Sequence, residues 1–232
     1  MQKAHKKLSV FNWSGGKDST LALHYALHSE HFDIRYLLTT VNEAHNRVSM
    51  HGVRESLLIK QANSLGIPLY QVRLPEAPDM ATYEQEMNKH MGLLKSEGIT
   101  HSLFGDLFLE DLKVYRENKL AEVDLKAEFP IWKKDTTQVI HEFIALGYKT
   151  VVACAKEGLE DFCGRVIDKD FIADLPAGID PCGENGEFHT FAFEGPLFKR
   201  PIDFTLGEKV FKTYPAPEGG NPSGYWYIDL IG

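Results

Sequence analysis

The chain has 232 residues, of which 43% are hydrophobic and 25% charged, with a formal net charge of −8, an ordinary balance for one large globular protein. The acidic charge and the lack of any long Lys/Arg cluster argue against an extended nucleic-acid footprint, which needs a basic face. No apolar run approaches the roughly 20 residues of a membrane span, and the apolar stretch after the basic MQKAHKK start is too short for a signal peptide, so no membrane partner and a cytoplasmic location are expected. The cysteines, Cys154, Cys163 and Cys182, have no C-x-x-C spacing, which argues against a disulfide framework or a zinc ribbon.

Leu8 to Trp13 reads as a short buried strand. Asp18 to Ser29 reads as a helix, with Leu21/Tyr25, Ala22/Ala26 and Leu23/Leu27 as i, i+4 pairs. Ile34 to Val41 is a second strand. A helix follows over GVRESLLIKQANSLG, stopped by Gly66 and Pro68. IPLYQVRL is a third strand. The next helix opens at Thr82, with Gln85 three residues on in a capping-box pattern. THSLFGD is a strand ending at Gly105-Asp106, and a polar helical segment runs to about Val123. LKAEFPIW is a short strand, DTTQVIHEFIALG a helix with Asp135 as N-cap, and YKTVVACA the strand after it. This alternation predicts an α/β fold with a doubly wound, Rossmann-like parallel sheet. After residue 155 loop chemistry takes over, with terminal strands at IDFTLGEKVFKTY and YWYIDLI around the Pro/Gly-rich loop PAPEGGNPSG. The expected division is a nucleotide-binding domain over 1–155 and a small C-terminal substrate-binding lobe over 156–232.

The first strand stops at Ser14-Gly15-Gly16, and the helix begins directly after it. Ligands of open parallel sheets bind outside the carboxyl ends of the strands. Paired glycines permit positive φ and close backbone approach, successive N–H groups form an anion nest, and a helix N-terminus adds donors and a positive dipole end. Ser14, Ser19 and Thr20 offer hydroxyls, and Lys17 a charge. The loop suits phosphate or pyrophosphate, although it is neither a Walker A motif nor G-x-G-x-x-G. A carboxylate beside phosphates is repulsive without a cation, so Asp18 reads either as a Mg²⁺ ligand or as a helix cap. His24, His28 and His31 read as a solvated helix face.

A second dense string is DPCGENGEFHTFAFEGPLF, Asp180 to Phe198. It combines Asp180, Glu184 and Glu187 with Asn185, His189 and glycines at 183 and 186. Asn185-Gly186 is a type I′ hairpin signal, and the turn is expected to present Glu184, Glu187 and His189 to a substrate. Cys182 stands beside this motif.

The loop SGGKDS, the SMHGV start of the second helix, FGD, FPIW and above all CGENGEFHT together resemble the diphthine–ammonia ligase family, within the PP-loop ATP pyrophosphatases. The resemblance runs in consistent order over roughly residues 8–200. It implies an adenine nucleotide α-hydrolase-like sheet. It also implies cleavage of ATP, with Mg²⁺, to AMP and pyrophosphate, so that a carboxylate acceptor is adenylated and then amidated by ammonia. The acceptor is a small molecule or a modified residue, and a homo-oligomer is compatible with this reading. On this basis ATP would be held by Ser14, Gly15, Gly16, Lys17, Asp18, Ser19 and Thr20, with Thr39 and His51 bordering the adenine and Gly105 and Asp106 nearby. Glu184, Asn185, Gly186, Glu187, His189 and Thr190 would face the acceptor. Lys17 and Asp18 would act on the phosphates, and Glu184, Glu187 and His189 would bind ammonia or move a proton. The ligases of eukaryotes and archaea favour E-G-G-E-[FY]-E. Here Asn185 stands in place of a glycine and His189 in place of an acid, a change that looks like the bacterial branch, some of whose members are proposed to act in cobalamin salvage. An ATP-binding enzyme of bacterial cofactor (cobalamin) salvage and a tRNA-modifying PP-loop enzyme are the other readings, and the acidic charge weighs against the second.

Overall fold

The computed structural model describes residues 5–48, 52–214 and 223–232. In chain order the elements are β1 (Lys7–Asn12), α1 (Lys17–His28), β2 (Phe32–Asn42), β3 (Arg47–Val48), α2 (Glu55–Leu65), β4 (Leu69–Leu74), α3 (Met80–Ser96), β5 (His101–Leu103), α4 (Glu110–Ala121), β6 (Lys126–Glu128), α5 (Thr136–Ala145), β7 (Lys149–Lys156), α6 (Lys169–Asp174), β8 (Phe188–Glu194), β9 (Thr205–Tyr214) and β10 (Ser223–Ile231). Their contacts separate the chain into two units. Among the described residues the first holds 5–14, 18–48 and 65–134, and the second holds 15–17, 52–64, 135–214 and 223–232.

The first unit is the expected α/β layer. Its sheet runs β4-β2-β1-β5-β6, all parallel, and the short β3 pairs antiparallel with the end of β2. From β1 the chain moves one way to β2 and β4, then crosses back to β5 and β6. The order reverses between β1 and β5, which makes their carboxyl ends a topological switch point, the crevice where such sheets bind ligands. Asn12 closes β1 there: its amide donates to Ser102 Oγ (2.7 Å) and to the Leu103 carbonyl (2.9 Å) of β5. Val10, Leu38, Val72 and Leu74 from the strands pack with Met91 and Leu94 of α3 and Leu120 of α4. Fully burying such a side chain stabilises by about 1.5–3 kcal/mol. Helix α3 starts one turn earlier than the Thr82 capping box predicts, because Asp79 accepts from the Thr82 N–H at 2.8 Å and a carboxylate there satisfies an otherwise orphan donor.

The second unit carries the antiparallel sheet β8-β7-β10-β9. Strand β7 differs from expectation. Rather than extending the parallel sheet, it pairs antiparallel with β8 and β10, so the units part between Lys134 and Asp135. Its uninterrupted apolar run suits the centre of either kind of sheet, and its partners β8 and β10 lie far along the chain. At α5, Asp135 caps the helix as read from the sequence, accepting from the Gln138 N–H at 2.9 Å. Helix α2 also groups with this unit. It buries Leu57, Leu58, Gln61, Ala62 and Ser64, and just ahead of it the Arg54 guanidinium grips Asp229 through Nε (3.0 Å) and Nη2 (2.5 Å). No helix among the described residues is long and apolar enough to cross a membrane.

Gly105 follows β5 so closely upon α1 that a Cβ built there would stand 2.9 Å from both Ser19 Cα and Ser19 N. Backbone cannot yield as a side-chain tip can, so Gly105→Ala should cost about 1–3 kcal/mol. The readout is a lower denaturant midpoint with an unchanged slope.

Candidate functional site

In the first unit the site lies at the switch point. Ser14 Oγ donates to Ser19 Oγ at 3.0 Å, which folds the start of the loop against the first turn of α1. Ser19 and Thr20 are buried, and Asp18 is half-buried. Beyond Gly105, Asp106 is held by Arg116 of α4 through Nη2–Oδ1 (3.2 Å) and Nε–Oδ2 (3.1 Å), while the guanidinium lies 4.3 Å from the Phe104 ring centre. Burial pushes the Asp106 carboxyl above its ordinary range. The Arg116 charge opposes this, and the charge of Asp18 adds to it. Carboxylates are hard oxygen donors of the kind that a divalent cation takes, one or two at a time, together with phosphate oxygens. Among the described residues no group of three or more His, Cys, Asp or Glu side chains could hold a metal by itself. Thr39 is buried on β2, and His51 lies outside the described residues.

In the second unit the middle of the loop is fastened to β8 and α2. Gly15 has φ +80°, and its carbonyl accepts from the Ala192 N–H (2.8 Å) and from Gln61 Nε2 (3.0 Å). The same Gln61 amide donates to the Ala192 carbonyl at 2.5 Å. A Cβ at Gly15 would strike Gln61 Oε1 at 2.8 Å, so glycine is required there by both conformation and space. The Lys17 N–H donates to Thr190 Oγ1 at 2.9 Å, and Lys17 Nζ, on a side chain 3% exposed, lies 5.7 Å from the Phe188 ring centre. Thr190, expected to face a substrate, accepts through its hydroxyl from the backbone of the glycine loop.

The expected hairpin at Asn185-Gly186 is not one. Among the described residues β8 pairs with β7 alone, and Asn185 lacks the positive φ that a type I′ turn needs. Side-chain acceptors fold the stretch into successive turns instead. Asp180 Oδ1 accepts from the N–H groups of Cys182 (2.8 Å) and Glu184 (3.3 Å), and Asp180 Oδ2 accepts from Thr136 Oγ1 (2.7 Å). Glu187 is buried at 6% exposure. Its Oε1 accepts from the Asp180 N–H (3.2 Å) and Asn185 Nδ2 (3.0 Å), and its Oε2 accepts from the Asn185 N–H (2.8 Å). Gly183 sits so tightly that a Cβ would be 2.8 Å from the Phe188 carbonyl. Alternation along β8 places Phe188 and Thr190 on one face and His189 on the other. Glu184, Gly186 and His189 are half-buried, and Asn185 is exposed.

Sequence reading missed Gln61 and Arg116. Gln61 was open to discovery: it is a polar residue in the apolar stripe of α2, i+4 from Leu57. Arg116 sits on a polar helix among other charges, and only its contact with Asp106 sets it apart. Cys182 is buried, with its thiol donating to the Thr136 carbonyl at 3.2 Å. Burial pushes the Cys154 thiol up to about 12 and that of Cys163 to about 11, which marks both as packing residues.

Two family models match the chain: the N-terminal domain of diphthamide synthase over residues 7–127, and its C-terminal domain over 135–216. Human diphthine–ammonia ligase is 22% identical over 228 residues, covering 88% of this chain and 85% of that protein. The zebrafish ligase is 24% identical over 172 residues, with 67% and 68% covered. The ligase of the fission yeast Schizosaccharomyces pombe is 26% identical over 100 residues, which are 40% of this chain and 16% of that longer protein.

Two outcomes follow from the second unit. Glu187→Gln puts an NH₂ against loop donors that its carboxylate accepts, which should cost about 1–3 kcal/mol in a denaturant titration. At pH 8 the thiolate fraction of Cys154 and Cys163 is about a thousandth or less, so a thiol reagent should modify them only after unfolding, as followed by absorbance.

Proposed function

The chain belongs to the diphthamide synthase family, and from that premise we infer that it is an ATP-dependent amide ligase whose S-G-G-K-D-S loop holds the phosphates of ATP. The observation that supports this most directly is the loop's position. It leaves the carboxyl end of β1 at the switch point and runs straight into α1, where a helix N-terminus favours negative charge. The acceptor is a carboxylate, diphthine as in the ligases to which the chain is similar or a related acid, and ammonia supplies the nitrogen. A carboxylate is a poor acyl electrophile because its leaving group would be oxide. In the proposed reaction the carboxylate oxygen attacks the α-phosphorus of ATP and the bond to the β-phosphate oxygen breaks, giving pyrophosphate. Ammonia then adds to the acyl carbon and AMP leaves.

Each residue's contribution follows from its place. Lys17 and the donors of the loop stabilise charge developing on the departing pyrophosphate, the electrostatic part of catalysis. Gln61, Ala192 and Thr190 hold the loop in the shape that presents those donors. Asp18 is the residue that would hold Mg²⁺, since both Asp106 oxygens are taken up by Arg116. When bound, the ion supplies neutralisation of phosphate charge. Glu187 shapes the turn by the bonds it accepts, which leaves Glu184 and His189 as the groups proposed to bind ammonia or accept its proton. Gly186 and Asn185 complete the acceptor side.

The test is pyrophosphate release from ATP with a carboxylic acid and ammonia present. Lys17→Ala and Asp18→Ala should each lower it by at least about 10²-fold while circular dichroism stays native. Wild-type turnover in both variants would remove the loop from the mechanism. Mass spectrometry of the products should find AMP, and an acceptor that has exchanged hydroxyl for amine.

A further inference from the structure

Strand β9 is the outer edge of the antiparallel sheet, and among the described residues it pairs with β10 alone. An antiparallel sheet commonly buries one face, yet every residue of β9 except Gly207 is exposed, Leu206, Val210, Phe211 and Tyr214 among them. The outer row of N–H and C=O groups on such a strand is a template for another strand. Lysines guard natural edges against this, and β9 carries Lys209 and Lys212. Lys209 is engaged, donating to the Glu160 carbonyl at 2.7 Å. Lys212 Nζ lies 5.6 Å from the Tyr227 ring centre, and among the described residues neither Lys212 nor Glu208 has a charged partner. Lys209 stands opposite Ile228 and Leu206 opposite Leu230, so Gly207 and Glu208 share Asp229. This bulge ends the regular edge at Glu208 and keeps Glu208, Val210, Lys212 and Tyr214 on one face.

The order of charges along this edge is self-complementary. In an antiparallel pair, directly opposite residues turn their backbone groups the same way, so two copies of β9 related by a two-fold axis must centre on a residue. Centring on Glu208, Lys209 or Lys212 sets like charges directly opposite one another, which destabilises. Centring on Phe211 sets Glu208 against Tyr214 and Val210 against Lys212, and both charges stay unmatched. Centring on Val210 sets Glu208 of each copy against Lys212 of the other, on the same face as a Val210–Val210 contact. Opposite charges and β-branched residues facing each other stabilise a strand pair. A two-fold interface requires one patch to complement itself, and this strand supplies both halves of the pattern. We propose that β9 is a homodimer interface, in which two copies of the chain join edge to edge about Val210 and Glu208 pairs with Lys212 in both directions. The sheet then continues from one copy into the other, and the guarding lysine is neutralised in this register alone. The proposal is independent of the ligase reading.

The test is sedimentation velocity on the full chain from micromolar to millimolar concentration, with circular dichroism to confirm folding. The wild type should pass from monomer to dimer within that range. Glu208→Lys and Lys212→Glu each place two like-charged pairs across the interface, and each should raise the dimer dissociation constant at least about tenfold. The double variant Glu208→Lys/Lys212→Glu exchanges the charges and should return the constant to within about threefold of wild type. Such a return separates facing charges from a general effect of either substitution, and both sites are exposed. A wild type that stays monomeric throughout overturns the proposal, and so does one that forms open-ended assemblies. A dimer that both single variants leave unchanged places self-association on another surface. A folded double variant that stays as weak as the single ones shows that the two side chains do not face each other, which removes this register and leaves the edge to a foreign strand.

Discussion

The Gly15 carbonyl is the point on which the anchoring of the glycine loop within the second unit depends. It is held by the Ala192 N–H and by Gln61 Nε2, and it can be held there only because Gly15 takes a positive φ beside a side chain that leaves no room for a Cβ. One residue further on, the Lys17 N–H meets Thr190 Oγ1. The glycine loop and strand β8 are thus tied by backbone and hydroxyl bonds between segments more than 170 residues apart in the chain. A buried amide that donates to two carbonyls is worth only about 1 kcal/mol per bond in net terms, but leaving either carbonyl unsatisfied costs more. The contact therefore specifies one loop conformation more than it adds stability.

This tie changes how the late motif is understood. C-G-E-N-G-E-F-H-T contains residues of two kinds. Glu187, with Asp180 just ahead of the string, accepts from the loop's own N–H groups, which builds turns without a hairpin partner. Phe188 and Thr190 then meet Lys17 of the glycine loop, while the pleat turns His189 to the opposite side. Density of acids in a loop is a poor guide to which of them meets a substrate, since carboxylates are also strong acceptors for a backbone that has no sheet to pair with.

In the first unit the switch point concentrates chemistry for a topological reason. Reversal of strand order between β1 and β5 leaves their ends uncovered by a crossover, and Asp18, Asp106 and Arg116 gather there. Arg116 holds both oxygens of a carboxylate that burial pushes above its ordinary range. The same side chain lies over the Phe104 ring and lines a cavity between α3 and α4, so it links the charged and apolar parts of this end of the sheet.

The sequence by itself determined the elements whose signals are local. Strand β1, the glycine break and α1 were legible from apolar periodicity and two glycines. The Asp135 cap was legible from its spacing to Gln138, and the terminal strand β10 from its apolar run YWYIDLI. The order of S-G-G-K-D-S and C-G-E-N-G-E-F-H-T was enough to indicate the family. Only the tertiary structure decided what depends on partners distant in the chain. It moved β7 from a parallel to an antiparallel sheet, because a strand buried along its whole middle carries no mark of its neighbours' direction. It moved the cap of α3 to Asp79, because both Asp79 and Thr82 could cap and the earlier one adds a turn. It turned Thr190 and Glu187 inward as acceptors, and it brought forward Gln61 and Arg116, whose roles exist only in contact with Gly15 and Asp106. Local propensity acts over a few residues, whereas hydrogen-bond satisfaction of a buried group is settled only once the whole chain has packed around it.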